Sequence, residues 1–468
     1  MDPGPHPRHP RGRLHRRLRG ARWQADGPRR RDRPGGRARR GVGRGEEGAA
    51  RELRDRRRHE PLGSGAADDQ AAVLTLLRAA AALSRTEEAG VAAAEAADAV
   101  AARLAGEADT RAPPRCDLAV VTVTPEHHDH LGAIAAAVEA RLEPGALLGA
   151  VATGVVGTVE GRAVEVDQGP AVSVWGLAAP GGWVQPFRAW TLRPTRGGVT
   201  VAGWPDTQPD DTIMVLADPE TFPAAEVLQR LSERHVATRV LGGLVSGGPG
   251  QARYSLDGHL HDDGAVGVVL RDVEVAGLAS VGCRAIGRPV TVTEVVDDQL
   301  RGLAGGSATD HLDAVLGGLS DDDLALLERG GLQLGIVVDA VRDTYQPGDF
   351  VLRGVLGIDP DLGAIRVGDR VRAGDTVQFH LRDPVHAGID LTARLRALPP
   401  SAGALLFTCL GRGRRLFEVP DHDARAVATH LEVEVAGAVC DGEIGPLHTR
   451  SVLHGFSAVV AAFGQERA

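Results

Sequence analysis

The chain has 468 residues, of which 43% are hydrophobic and 25% charged, a composition typical of soluble globular proteins. This length predicts two or three domains of roughly 150 residues each. No apolar stretch approaches the roughly 20 residues of a membrane-spanning helix, and the basic N-terminus lacks the apolar core of a secretory signal. Cys116, Cys283, Cys409 and Cys440 are widely spaced, which indicates neither a disulfide scaffold nor a zinc ribbon. We therefore expect a cytoplasmic protein with no membrane partner, no metal and no cofactor.

The charge is segregated along the chain. Residues 1–60 contain 20 arginines and 8 acidic residues, whereas the rest contains 33 arginines and 54 acidic residues. Residues 1–68 are poor in large apolar side chains, so we expect a disordered basic tail. One interpretation is a nucleic-acid-binding arm; the other is a non-native segment, read from an upstream start in GC-rich DNA. The absence of lysine and asparagine favours the second, and the acidic remainder argues against a nucleic-acid partner.

The predicted elements begin with an Ala-rich helix over residues 69–105 and a linker at 110–115, which together form an N-terminal region ending at residue 116. The apolar run DLAVVTVT at 117–124 then predicts a buried strand, because it is too short for a typical helix. Apolar residues at intervals of three and four predict the next helix, with Asp129 near its N-cap. The run LLGAVAT predicts a second strand. The same order returns between residues 212 and 270 and between residues 404 and 463.

The chain thus contains three degenerate units of strand, helix, strand and small-residue loop, whose second strands are LLGAVATG, VLGGLVSGG and VAGAVCDGE. In the third unit, an Arg/Gly loop and an Asp-capped helix separate the strands. Segments such as 266–280 and 290–294 predict hairpins. The expected fold class is α/β, or mixed α+β, in two successive mixed-sheet domains at 117–272 and 273–468.

Several motifs in one order carry a family resemblance. They are LGGLVSGG at 241–248, GCRAIGRPVTVTE at 282–294, the long segment at 350–383, LFTCLGRG at 406–413, PDHD at 420–423, GEIGP at 442–446 and LHGF at 453–456. On these segments the chain resembles FIST-domain proteins, with a FIST N region followed by a FIST C region. The resemblance implies a sensory module that binds a small ligand, with amino acids proposed. No attached signalling domain is evident.

The predicted strand at 376–383 places Gln378, His380 and Arg382 on the face opposite Val377 and Phe379. This polar row is suited to holding a carboxylate or an amide, and Arg382 could bind a carboxylate through two hydrogen bonds. A solvated strand face would show the same alternation, so both interpretations stay open.

Arg412 and Arg414 flank Gly413 directly after a buried strand, an arrangement that favours anion binding at the end of a sheet. The alternative is a surface turn whose arginines pair with Asp421 or Asp423. Glu443 lies in the loop after the next strand of the same unit. It could accept a ligand ammonium group, or it could bind the amides of its own loop.

Cys409 and Cys440 end the two strands of the third unit, and His454 and Glu443 are near in sequence. A thiol nucleophile with a histidine base is therefore conceivable, although a buried cysteine at a strand end is more often a small apolar residue. A metal site at His127 and His130 is less favoured than a polar helix start. No lysine completes a phosphate-binding loop.

The first hypothesis is a sensor that binds an amino acid or small carboxylate without turnover and signals through a partner protein. The second is a cysteine-dependent hydrolase or transferase of small acyl or amide substrates, and the third is a protein interaction module; we favour a non-enzyme. The candidate ligand-binding residues are Gly243, Ser246, Gly247, Gly248, Arg284, Gln378, Arg382, Cys409, Arg412, Gly413, Glu443 and His454.

Overall fold

The computed structural model describes residues 77–105, 115–192, 199–234, 238–329, 331–338 and 344–464. Within these ranges the chain has a mixed α/β fold with four sheets, which confirms the predicted fold class. The predicted basic tail and nearly all of the predicted linker lie outside the described residues. No helix in the described ranges is both long and apolar enough to cross a membrane.

The helices are α1 (Ala89–Ala105), α2 (Leu131–Leu142), α3 (Ala224–Arg234), α4 (Ala308–Gly317), α5 (Asp321–Glu328), α6 (Pro384–Leu395), α7 (Arg414–Phe417) and α8 (His422–Leu431). Short 3-10 helices occupy Pro125–His130 and Pro347–Asp349. The strands up to the middle of the chain are β1 (Arg78–Ser84), β2 (Leu118–Val123), β3 (Leu147–Val151), β4 (Gly154–Val159), β5 (Arg162–Val166), β6 (Val172–Ala178), β7 (Trp183–Leu192), β8 (Thr200–Ala202), β9 (Thr212–Ala217), β10 (Arg239–Leu244), β11 (Tyr254–Leu256), β12 (His259–His261) and β13 (Ala265–Arg271). The later strands are β14 (Val275–Val281), β15 (Cys283–Val296), β16 (Gln299–Leu303), β17 (Gly306–Ser307), β18 (Leu332–Val337), β19 (Phe350–Asp359), β20 (Ala364–Val367), β21 (Thr376–Arg382), β22 (Ser401–Cys409), β23 (Val435–Cys440), β24 (Gly442–Leu447), β25 (Arg450–His454) and β26 (Ser457–Gly464).

Three of the sheets share one strand order. The first runs β1-β6-β2-β3-β11-β12, the second β7-β13-β9-β10-β24-β25 with β8 added at its edge, and the third β14-β26-β22-β23-β4-β5. The centre of each is a parallel pair joined by a helical crossover: β2 with β3, β9 with β10, and β22 with β23. The three predicted strand–helix–strand units are therefore confirmed as repeated units of one topology.

The hairpin that follows each parallel pair does not join its own sheet. The β4–β5 hairpin of the first unit completes the third sheet, β11–β12 of the second unit completes the first sheet, and β24–β25 of the third unit completes the second. This exchange is cyclic, so each sheet depends on another unit for its last two strands.

The parallel pair of the third unit requires glycine at position 437 of β23. A Cβ there would be 1.8 Å from the Leu406 carbonyl oxygen, and the φ of Gly437 is +149°.

The inner faces of these three sheets meet in one apolar core. It contains Trp175 of β6, Tyr254 of β11, Phe407 of β22 and Phe463 of β26, all less than 2% exposed. The outer faces are covered by helices: α1 and α2 pack on the first sheet, α3 on the second, and α6 and α8 on the third. Burial on both faces accounts for the unbroken apolar runs that predicted these strands.

The fourth sheet is inserted between β14 and β22 along the chain, before the third strand–helix–strand unit. Its order is β15-β21-β18-β19-β20-β16-β17, and its strands pair antiparallel. One face packs against α4 and α5, with Val377, Phe379 and Leu381 of β21 in that core. The other face contacts the end of β14 and the segment before β19.

Two predicted elements are wrong. The Ala-rich stretch predicted as one helix contains a strand, β1, before α1 begins at Ala89, because residues 80–84 are buried in antiparallel pairing with β6. Burial against a neighbouring strand outweighs the helix propensity of alanine here. The predicted hairpin at 266–280 is also wrong, since β13 belongs to the second sheet and β14 to the third. The hairpin beginning at 290–294 forms as β15 and β16.

One predicted aspartate cap is also wrong. Asp421 occupies the N-cap position of α8, but its φ is +60° and its side chain makes no capping bond. Instead, Asp421 Oδ1 accepts a hydrogen bond from the amide of Glu165. At α2 the N-cap residue is His130, so Asp129 lies next to the N-cap as predicted, and its Oδ1 is 3.0 Å from His128 Nδ1. At α8, by contrast, the amide of Glu165 binds the carboxylate that was expected to cap the helix.

Candidate ligand-binding site

A polar cluster lies at the carboxyl end of the parallel pair in the third unit. Cys409 and Cys440 are register partners in β22 and β23, and Glu443 is the second residue of β24. Glu443 is 0% exposed. Its Oε2 accepts hydrogen bonds from Ser457, at 3.2 Å from the amide and 2.7 Å from the hydroxyl, while its Oε1 has no described partner. Burial raises the pKa of Glu443 to about 8, against the opposing influence of Ser457 and Arg412.

Arg412 pairs with Asp423 through two hydrogen bonds. Nε donates to Oδ2 at 2.6 Å and Nη2 to Oδ1 at 2.9 Å, and both side chains are 0% exposed. Burial opposes ionisation of Asp423, but Arg412 outweighs this and holds the pKa of Asp423 well below its usual range. The third nitrogen, Nη1, has no partner among the described residues. Pairing of Arg412 with Asp423 is one of the two interpretations that the sequence left open. Ligand binding by Arg412 remains a prediction.

Glu165 of β5 connects this ion pair to the first unit. Its Oε1 accepts hydrogen bonds from the amides of Asp423 and Ala424, both at 2.9 Å, and so replaces the missing Asp421 cap. Burial and the nearby Asp423 carboxylate raise the pKa of Glu165 to about 7. Gly413, at the start of α7, has φ of +52°, and a Cβ there would lie 3.1 Å from Glu165 Oε2. Gly413 is therefore required by the turn and by the close approach of Glu165.

Among the described residues, His454 is not hydrogen-bonded to either thiol. Burial is the main cause that raises the pKa of Cys409 and Cys440 above the ordinary thiol value, and the Glu443 carboxyl adds to it. His454 is buried, and its Nε2 donates to the Pro446 carbonyl at 3.2 Å. Burial lowers the pKa of His454 to about 4, so its ring is neutral at pH 7. This hydrogen bond is to a backbone carbonyl, so it does not link the ring to the Cys409 or Cys440 thiol.

The predicted arginines of the fourth sheet are engaged with protein groups. Arg284 Nε donates to Asp383 at 2.9 Å and its Nη2 donates to Asp323. Arg382 Nη2 donates to the Gly411 carbonyl, and its guanidinium lies 5.1 Å from the centre of the Phe456 ring. The predicted alternation in β21 is confirmed, but its polar face is not solvated: His380 is 1% exposed and Gln378 9%.

The glycine-rich loop after β10 is held by its own contacts. A Cβ on Gly243 would lie 2.5 Å from the Cys440 sulfur, so this position requires glycine. Ser246 Oγ donates to Asp441 at 3.0 Å and accepts from the Gly248 amide at 3.3 Å. The Gly247 amide donates to the Gln251 carbonyl at 3.2 Å. Ligand binding by this loop remains a prediction.

The structure adds a cavity of about 340 Å³ where β14, α6 and the β24–β25 hairpin meet the segment before β19. We call it the junction cavity. The polar side chains that line it include those of Asp349, Asp390, Arg394, His448 and His454. Of the predicted site residues, only His454 lines it, whereas Gln378 lines a second cavity on the other side of the same segment.

The charged groups of the junction cavity are ordered by hydrogen bonds. Asp390 Oδ2 accepts from the Ser280 hydroxyl at 2.7 Å, and its Oδ1 accepts from Arg394 Nε at 2.9 Å. Asp349 Oδ1 lies 2.5 Å from His448 Nε2. Arg394 is 36% exposed and presents its terminal nitrogens beside Gly348, where a Cβ would be 3.1 Å from Nη2. One guanidinium and two carboxylates thus surround one space.

Sequence reasoning missed this cavity because its residues come from four distant segments. One local signal was available: Asp390 and Arg394 have the i,i+4 spacing of a helical ion pair, on a helix that Asp383 caps through the amides of Val385 and His386. That spacing predicts a salt bridge on the surface of the helix, but it does not predict which strands pack against that surface.

Comparison with known proteins places the chain in a family. A FIST N domain matches residues 117–306 and a FIST C domain matches residues 308–446. Uncharacterized proteins of Mycobacterium tuberculosis strain CDC 1551 and Mycobacterium bovis are both 39% identical to it, over 74% and 81% of this chain and 91% and 96% of theirs. FIST domains are regarded as sensory domains that bind small ligands. With both domains matched in order, the chain belongs to the FIST family.

Proposed function

We propose that this protein is a cytoplasmic sensor that binds an amino acid or a small carboxylate in the junction cavity, without turnover. The observation that carries this proposal is the combination of the Arg394 guanidinium with the Asp349 and Asp390 carboxylates around one cavity of about 340 Å³. Ligand pockets span about 300 to 1,000 Å³, so this cavity suits a small molecule. A zwitterion presents the complementary pair of charges.

In this proposal Arg394 binds the ligand carboxylate. Its Nε is engaged by Asp390, which fixes the guanidinium plane and leaves the terminal nitrogens on the side of Gly348. A planar guanidinium can then donate to a carboxylate without losing its helix partner. The negative side of the cavity, formed by Asp349 and Asp390, favours the ligand ammonium group.

Binding without turnover is supported by the chemistry of the described side chains. Those that line the junction cavity include neither a thiol nor a hydroxyl group. The thiols of Cys409 and Cys440, on which the hydrolase alternative depends, have pKa values raised by burial, so few of them ionise at neutral pH. The sensor is therefore better supported than the cysteine-dependent enzyme.

The strand that carries Glu443 also forms part of the cavity wall. Glu443 and Pro446 both belong to β24, and Pro446 lines the cavity while its carbonyl accepts from His454. A ligand in the cavity therefore contacts the strand that connects the second and third units. We propose that a partner protein detects the change in this connection.

Thermal unfolding of the full chain tests the proposal against a panel of amino acids and small carboxylates. A ligand at a hundredfold its Kd should raise the free energy of unfolding by about 2.7 kcal/mol. Arg394→Gln should remove this stabilisation, with each variant compared to its own unliganded melting temperature. Arg396→Gln, on an exposed arginine next to the end of α6, should retain it. Proton NMR of the ligand over hours should show no new compound.

Three results would count against the proposal. A flat response across the panel would leave the cavity without a ligand of the proposed class. Equal stabilisation of Arg394→Gln and wild type would place the ligand elsewhere. Conversion of the ligand, abolished by Cys409→Ser, would favour the enzyme alternative.

A further inference from the structure

A second cavity lies on the opposite side of the segment before β19. It has a volume of about 620 Å³ and is lined by residues that include Arg288, Thr291, Tyr345, Phe350, Thr376 and Gln378. We call it the Arg288 cavity. Its side chains come from β15, β21 and residues 344–350, and it shares only Gln346 with the junction cavity.

A β-bulge presents Arg288 to this cavity. Ile286 pairs with Phe379 and Val290 with Val377, so four steps along β15 match two along β21, and the residues between them loop out. Gly287 has φ of +66° in this bulge, and Gln378 Nε2 donates to its carbonyl at 2.9 Å. Bulges of this kind redirect side chains and are frequent beside functional sites.

The charge of the Arg288 cavity is positive. Arg288 is exposed, and no carboxylate of the described residues pairs with it. The described lining contains no aspartate or glutamate, in contrast to the two carboxylates of the junction cavity. An arginine without a described carboxylate partner, beside a cavity whose described lining has no acidic group, favours an anion, and a guanidinium suits a carboxylate in particular.

The remaining lining suits a flat apolar ring with a polar substituent. The rings of Tyr345 and Phe350 meet edge to face at 5.8 Å, and aromatic pairs of this kind add further rings favourably. Thr291 and Thr376 are register partners on neighbouring strands, so their hydroxyls lie on one face. The Gln378 amide oxygen accepts no hydrogen bond from a described residue, which leaves an acceptor for a ligand hydroxyl.

We propose that the Arg288 cavity is a second ligand site, and that it binds an aromatic carboxylate. Arg288 binds the carboxylate, Tyr345 and Phe350 contact the ring, and the polar groups of β15 and β21 bind ring substituents. This site shares only Gln346 with the junction cavity and differs from it in charge, so it does not depend on the amino-acid site.

Isothermal titration of the full chain with benzoate and 4-hydroxybenzoate tests this site. We expect saturable binding of both, tighter for 4-hydroxybenzoate, that weakens at least tenfold in Arg288→Gln and several-fold in Tyr345→Ala. Arg370→Gln removes an exposed arginine and the same unit of charge, and should leave the affinity unchanged. Arg394→Gln should also leave it unchanged.

The outcomes separate the two sites. Absence of saturable binding by either compound would overturn the proposal, as would equal affinities of wild type and Arg288→Gln. Loss of benzoate binding in Arg394→Gln would place it in the junction cavity instead. Equal affinity for cyclohexanecarboxylate would overturn the assignment of an aromatic ligand.

Discussion

Replacement of Glu443 by glutamine tests whether this buried carboxyl is protonated in the folded protein at neutral pH. Burial raises its pKa from 4.5 to about 8. Between these two values the folded state binds more protons than the unfolded state, so the free energy of unfolding falls as the pH rises. The slope for one proton reaches about 1.4 kcal/mol per pH unit, and the full effect is on the order of 4 to 5 kcal/mol, lost by about pH 8.

Urea unfolding of wild type and Glu443→Gln at pH 5, 6, 7, 8 and 9 measures this effect. The variant should lose most of the slope and be more stable than wild type at pH 9, because an amide carries no charge into the core. Glu165, whose pKa is raised to about 7, adds a smaller slope of the same sign that both proteins keep. Glu139→Gln, on the exposed side of α2, is the matched control. Burial lowers the pKa values of His380 and His454 to about 4, so below about pH 6.5 these residues add slopes of the opposite sign that both proteins also keep. The difference in stability between wild type and Glu443→Gln is therefore decisive, and a difference that stays constant from pH 5 to 8 would refute the reasoning.

Two further predictions concern the same cluster. Arg412→Met and Asp423→Leu should each destabilise the protein by about 3 to 5 kcal/mol in urea unfolding, since each leaves a buried charge alone, and the double variant should lose much less than the sum; additive losses would contradict a coupled pair. The Cys409 and Cys440 thiols should react with Ellman's reagent at pH 7.5 far more slowly in the folded protein than in urea, because burial raises both pKa values. Labelling of the folded protein at the rate of free cysteine would instead support a thiol nucleophile.

The local elements could be predicted where burial on both faces leaves an unbroken apolar run. The strand pair β22 and β23 is such a case: nearly every residue is apolar or small, and the intervening segment has helical spacing. The strand β1 could not be predicted, because RAAAALS carries no alternation and alanine favours a helix. Only its antiparallel partner β6 decides the outcome, and that partner lies about 90 residues further along the chain.

Pairing between units was beyond the reach of one sequence. The second strands of the three units resemble one another, so nothing local assigns the β24–β25 hairpin to β10 rather than to β3. The residues of the candidate site were predictable only where they are close in sequence to neighbouring strands. Cys409 and Arg412 were correctly placed at the end of β22, whereas Glu443, predicted in a loop, lies in β24. Asp349 and Arg394 reach the junction cavity only through the fourth sheet and α6.

The repeated topology also allows equivalent positions of the three units to be compared. In the parallel pairs, the register partners include Val121 with Gly149, Val215 with Gly242 and Leu406 with Gly437. The residues three positions after Val121, Val215 and Leu406 are Thr124, Asp218 and Cys409, respectively. Equivalent strand ends therefore carry different chemistry within one scaffold.

The fourth sheet is inserted between β14 and β22, just before the third unit. The three units thus share a strand order, whereas their strand ends and the segments that border them differ. Both cavities border the segment that leads into β19 of the inserted sheet. We propose that the first two units support the third unit and the inserted sheet, where the two proposed ligand sites lie.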